Sequence, residues 1–241
     1  MAEYFVRSDM AVLAFHREMA GYLAKFVPGE ASVYRRLIKA LGVQRVVYVT
    51  LNYDLLLELA GSHLGHRIAN YGFGPNYTGF RVIKPHGSSH FWPDTQGNTL
   101  TGNISGASGA DFVGPMQVLT QAETLARCAS EPLLAPVISM YAEGKAVRVC
   151  PAAVTQQQEM WSAAVKAAGH VYVIGVAVHR VDEHIWRVLG EAKAAVTYFG
   201  LAGDKAAFLE WKEASSKRNA YFVQARFHES VNFIRRQVHG K

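Results

Sequence analysis

The feature that most constrains this chain is an alternation. Short, apolar, β-branched runs are separated by segments with helical spacing. Residues 171–176, Val-Tyr-Val-Ile-Gly-Val, form the clearest such run, and residues 45–50, 80–83, 195–199 and 221–223 repeat the type. A strand that is apolar on both faces has no side to give to water. It therefore belongs in a parallel sheet covered above and below. The intervening segments supply that cover. Residues 9–26 place Val12, Phe15, Met19, Tyr22, Leu23 and Phe26 at helical spacing, with Ser8 or Asp9 as a cap and Pro28-Gly29 as a stop. Residues 31–41 carry Val33, Leu37, Ile38 and Leu41 ahead of a capping Gly42. Further helices are predicted over 55–64, 155–168, 208–214 and 228–238, and after Asp182, where Ile185, Val188, Leu189 and Ala192 form an apolar stripe. The pattern predicts an α/β fold, a Rossmann-like parallel sheet with helices on both faces. The 241 residues are read as a single domain. Residues 93–114 interrupt the alternation with Gly97, Gly102, Gly106, Gly109 and Gly114 among Thr, Asn and Ser, and are expected to form a mobile insertion. No Gly-Lys-Ser/Thr follows them, which excludes a nucleotide P-loop.

Composition narrows the function classes. Half the residues are hydrophobic and 18% are charged, as in a globular protein with a substantial core. No apolar run reaches the ~18 residues of a membrane span. The start of the chain lacks the basic and apolar blocks of a secretory signal. The two cysteines, Cys128 and Cys150, build neither a disulfide framework nor a four-cysteine zinc site, so a cytoplasmic location is expected. The net charge of +6 is concentrated in residues 201–241, with eight Lys/Arg against four Asp/Glu. Those basic residues are dispersed and belong to no aromatic-basic module, which argues for a solvated face and against a nucleic-acid partner.

In parallel sheets, ligands bind beyond the carboxyl ends of the strands. Three polar turns directly follow apolar runs here: Asn52/Asp54, His86, and residues 175–179. All three are expected at one edge of the sheet. Each also has a plain structural reading, since Asn52, Asp54 and Asp182 suit helix caps and His86 suits a Pro-His-Gly turn. His86 and His90 are four apart, but Gly87-Ser-Ser separates them, so no helix aligns their rings for a metal. His179, Asp182 and His184 are of ligand type as well, yet capping and surface roles explain them, and no metal is expected. Ser88 and Ser89 lack the Gly-x-Ser-x-Gly elbow of a hydrolase nucleophile. Cys150, ahead of Pro151, reads as a buried thiol at a strand end, and the four tryptophans read as core or interface.

Three segments, in order, resemble one family. Thr50-Leu-Asn-Tyr-Asp54 resembles the Thr-x-Asn-x-Asp signature of sirtuins and of bacterial sirtuin-like NAD-consuming domains. Lys84-Pro-His-Gly-Ser88 resembles the family's His-Gly-Ser segment. Val173-Ile-Gly-Val-Ala-Val followed by Asp182-Glu-His-Ile resembles its Gly-rich turn and acidic helix start. The resemblance spans roughly residues 40–235. It implies a domain that binds NAD and hydrolyses its nicotinamide–ribose bond, in bacterial defence, with NAD as substrate or ligand and no metal. By position, Asn52 would hold the ribose or the attacking water, His86 would be the general base and Asp54 would orient the site. Thr50, Gly87, Ser88, Gly175 and Asp182 would contact the nucleotide. The chemistry suits these types: an imidazole accepts a proton near neutral pH, and nicotinamide departure leaves an oxocarbenium-like ribose. The family's Gly-Ala-Gly-x-Ser turn is absent ahead of Thr50, where residues 3–9 offer no glycine. The later Gly-Thr-Ser is Gly175-Val-Ala177 here, and the zinc-binding cysteine quartet is absent, which argues against protein deacetylation. These departures point to the alternative of a catalytically degenerate nucleotide-binding or scaffold module. They also leave open a missing N-terminal segment, a partner subunit or a homo-oligomer.

Overall fold

The computed structural model describes residues 9–68, 71–72, 79–96, 101–105, 109–139, 148–179 and 182–240. The described residues begin with two helices, α1 (Asp9–Leu23) and α2 (Val33–Leu41). Ser32 caps α2 by accepting the Tyr34 amide, and Gly42 ends it at φ 71°. Strand β1 (Tyr48–Val49), helix α3 (Leu56–His63) and strand β2 (Val82–Ile83) follow, with β1 parallel to β2. After the central segment, helix α5 (Pro151–Ala167) leads into β8 (His170–Ile174), α6 (Glu183–Glu191), β9 (Ala195–Gly200), α7 (Lys205–Ala214), β10 (Ala220–Gln224) and α8 (Phe227–His239). Strands β8, β9 and β10 form a parallel sheet with β9 in the middle. This is an α/β protein whose principal pairings are parallel, as the alternation predicted.

The parallel strands do not form one continuous hydrogen-bonded ladder among the described residues. They form two pieces, β1–β2 and β8–β9–β10. Side chains join the pieces. Ile83 of β2 packs in one cluster with Val173, Val196 and Tyr198, and Val47, Val49 and Leu51 border it. Trp161 of α5, Ile185, Trp186 and Leu189 of α6 and Phe208 of α7 complete that cluster. Burying such apolar surface contributes roughly 25 cal/mol per Å². Trp92, Trp161 and Trp186 are all buried, so the core reading of these tryptophans holds.

Within and around the stretch expected as an insertion over 93–114, the described residues form β3 (Phe91–Pro93), β4 (Thr101–Ser105), β5 (Gly109–Val113) and β6 (Met116–Val118), and residues 97–100 and 106–108 lie outside the described residues. Strands β4 and β5 pair antiparallel, β3 pairs with β6, and β7 (Arg148–Val149) runs parallel to β5. Glycine weakens a strand but does not forbid one, and Thr101, Ile104, Phe112 and Val113 supply β-favouring types between the glycines. Helix α4 (Gln121–Ser130) follows, set by a capping box in which Thr120 and Glu123 exchange hydrogen bonds. It packs on α1, where the Gly21 position faces the Cys128 side chain and Gln121 donates to the Ala24 carbonyl. No helix among the described residues is long and apolar enough to cross a membrane.

Helix α1 buries His16, which is 2% exposed, and among the described residues neither ring nitrogen has a hydrogen-bond partner. Burial pulls its imidazole down from 6.5 to about 4. A His whose folded-state value is depressed stabilises nothing below that value and is neutral in both states above 6.5. Stability is therefore intact above pH 6.5 and is lost as pH falls toward 4, by about 2 kcal/mol at pH 5. Urea unfolding at pH 7.5 and pH 5 tests this: wild type should lose about 2 kcal/mol more than His16→Leu over that interval. Equal losses in the two proteins would show that His16 is not the titrating group.

Candidate functional site

The site is built at the carboxyl ends of β1, β2 and β8. The Thr50 amide extends the β1–β2 pairing by donating to the Ile83 carbonyl, so the two strands leave the sheet together. After β2 the chain runs through Lys84 and Pro85 into a turn at His86-Gly87. Gly87 sits at φ 81°, a conformation that favours glycine. The turn is held from two directions. The Ser139 amide donates to the His86 carbonyl and the Ser88 amide donates to the Val137 carbonyl, while the Ser89 amide donates to the Tyr53 carbonyl. The Tyr53 hydroxyl closes the loop by donating to the Ser139 carbonyl at 2.8 Å.

This turn aims the His86 ring at the region after β8. His86 Nε2 lies 3.1 Å from Nε2 of His184 and 3.3 Å from Oδ1 of Asp182. The Leu51 backbone also acts on the His86 ring through a hydrogen bond. His86 therefore joins the segments that follow all three strands. Burial holds its imidazole below the usual range, and the neighbouring His184 acts in the same direction. The Asp182 carboxylate and the Leu51 carbonyl oppose them. Burial likewise depresses His184, again against Asp182.

Asp182 stands at the N-cap position of α6, but its carboxylate makes no cap hydrogen bond. It is turned toward His86 instead. The preceding turn is fixed by core side chains: Tyr198 donates to the Val176 carbonyl at 2.8 Å and Trp186 to the Ala177 carbonyl at 3.2 Å. Gly175, at φ 63°, has no described atom beyond its chain neighbours within 4 Å on the Cβ side.

The other predicted residues divide. Asn52 is exposed, and its amide reaches the Tyr34 hydroxyl at 3.5 Å. It lines an open hollow of ≈ 310 Å³ with Leu23, Leu51, Tyr53 and Asp54. His86 is not among the lining residues, and the Leu51 peptide is the link between the two. Asp54 takes the capping role the sequence also allowed, with Oδ1 accepting the Leu56 amide at 3.0 Å. The Thr50 hydroxyl accepts the Asn52 amide at 3.2 Å. Ser88 is fully buried, with its hydroxyl 2.9 Å from Nδ1 of His90. His90 is itself buried and packs against Tyr71, so it does not converge with His86. Burial, and then the Lys84 charge, hold it well below the ordinary histidine range.

Lys84 was legible only as a residue ahead of a proline. It is fully buried, and its ammonium lies 2.6 Å from Glu58 Oε1 and donates to the Asp54 carbonyl at 2.6 Å. It ties the start of α3 and the residue ahead of its N-cap to the end of β2. Cys150 is buried at the N-cap of α5, and burial pushes its thiol up to about 11, which leaves it a poor nucleophile.

No protein-family model matches the chain, and no curated protein matches it in sequence.

Proposed function

We propose that this chain is a sirtuin-like NAD-processing domain that hydrolyses the nicotinamide–ribose bond. Its parallel strands are read as parts of a Rossmann-like sheet. The observation that carries the reading is the junction at His86, whose ring contacts the segments following β1, β2 and β8 through Leu51, Asp182 and His184. Ligands of parallel sheets bind at such an edge. The resemblance of Thr50-Leu-Asn-Tyr-Asp54 and Lys84-Pro-His-Gly-Ser88 supplies the chemistry.

In this reading the C1′–N bond breaks with its electron pair leaving on nicotinamide. Water attacks the oxocarbenium-like C1′ and its proton passes to Nε2 of His86. The exposed Asn52 amide holds the ribose or the water without competing as a nucleophile. Asp182 stabilises the imidazolium that forms. The products are nicotinamide, ADP-ribose and a proton. Purified protein incubated with NAD should release nicotinamide and ADP-ribose, followed by chromatography. His86→Ala should slow that release about 10²–10⁴-fold, the usual range for a lost general base. Absence of turnover at high enzyme concentration, or turnover unchanged by His86→Ala, would remove the catalytic reading.

A second reading is a nucleotide-binding or scaffold module without catalysis. The burial of Ser88 and the separation of His86 from the Asn52 hollow favour it. Calorimetry with NAD and ADP-ribose separates the two, since binding without turnover supports sensing.

A further inference from the structure

We infer that His86, Asp182 and His184 form a binding site for a divalent first-row transition metal such as zinc. One ligand atom from each lies within 4.8 Å of the others. The closest pairs are 3.1 Å for His86 Nε2 to His184 Nε2 and 3.3 Å for His86 Nε2 to Asp182 Oδ1. Metal–nitrogen and metal–oxygen bonds of about 2.0–2.2 Å in a tetrahedron place neighbouring ligand atoms about 3.3 Å apart. The two short separations match two edges of that tetrahedron, and a carboxylate rotation serves the third. The ligand types also match: two imidazoles and one carboxylate leave a fourth position open, the set used by catalytic zinc and by non-haem iron.

Nε2 of His86 faces both Nε2 of His184 and a carboxylate oxygen of Asp182. The three ligand atoms come from two separate elements, the turn after β2 and the start of α6. Asp182 is available for this because it does not cap α6, although it occupies the N-cap position. His184 projects from the first turn of the same helix, two residues on, and the pair are held by core anchors at Trp186 and Tyr198. Both imidazoles and the carboxylate are partly or wholly buried, which reduces competition from water.

This inference does not rest on the NAD reading. A bound metal would occupy the Nε2 lone pair that a general base needs, so the two occupancies exclude one another. The experiment therefore reads metal binding without NAD. Full-length protein, freed of metal by chelator and dialysed, is titrated with Zn²⁺ against a chromogenic chelator. One equivalent should bind, and His184→Ala and Asp182→Asn should each weaken that binding at least about ten-fold. Thermal melts check that both variants fold. Co²⁺ added to the wild-type protein should give visible d–d bands without thiolate charge transfer, which separates this site from Cys128 and Cys150. The inference is overturned by absence of a stoichiometric zinc equivalent, by binding unchanged in both variants, or by a thiolate band. The contact between His86 and His184 would then be an ordinary N–H···N hydrogen bond.

Discussion

Lys84→Met should destabilise the protein by about 3–5 kcal/mol, read as a fall in the urea midpoint at unchanged slope. Lys84 and Glu58 are 0% and 4% exposed, and their charged atoms are 2.6 Å apart. Water contributes little at such a site, so each ion depends on the other. Glu58 is the more exposed to loss, because its second oxygen, Oε2, has no partner among the described residues. Burial already raises its carboxyl above the ordinary range, against the pull of Lys84. Removing the lysine leaves a buried carboxylate that must ionise alone or take up a proton. It also orphans the Asp54 carbonyl that Lys84 now satisfies. The double variant Lys84→Met/Glu58→Leu removes both charges and should recover most of the loss, since buried pairs replaced by apolar residues are often neutral. If the double variant is as unstable as Lys84→Met alone, packing around the methylene stem rather than the charge pair sets the cost.

The pair also shows where sequence reading stops. The run at 171–176 and its helices were legible because apolar periodicity is a local signal, and β8, β9 and β10 fall where it put them. The capping box at Thr120 and Glu123 was equally local, a Thr-x-x-Glu ahead of α4 that could have been found. The antiparallel β4–β5 pairing was not legible, because glycine-rich spacing carries the same local signal in a loop and in a strand. The placing of His86 after a strand could be read, but its partners could not. His184 lies 98 positions away, and nothing local distinguishes it from a surface histidine. Lys84 gave no sign of burial, since a lysine is buried only when a distant carboxylate meets it. The expectation of one parallel sheet captured the direction of the strands but not the break between β2 and β8, where side chains replace hydrogen bonds.

The turn that carries His86 offers the second large effect. Gly87→Ala should cost about 3 kcal/mol or more and lower the melting temperature by roughly 6–12 °C. At φ 81° an alanine already pays about 1–2 kcal/mol of left-handed strain. The added Cβ would also lie 2.1 Å from the Val137 carbonyl oxygen, 2.9 Å from its carbon and 3.2 Å from the Ile138 Cα. These are backbone atoms with no rotamer to escape through. They can move only by breaking the Ser88–Val137 and Ser139–His86 hydrogen bonds, which are the bonds that aim the His86 ring. Gly175→Ala is the matched control. Its φ is 63°, but no heavy atom of the described residues beyond its chain neighbours lies within 4 Å of the added carbon, so only the strain of about 1–2 kcal/mol applies. Parallel melts of the two variants decide the point. A much larger loss at Gly87 ties the cost to the contact with Val137. Equal losses would mean that the turn moves freely, and a freely moving turn could not hold His86 against Asp182 and His184.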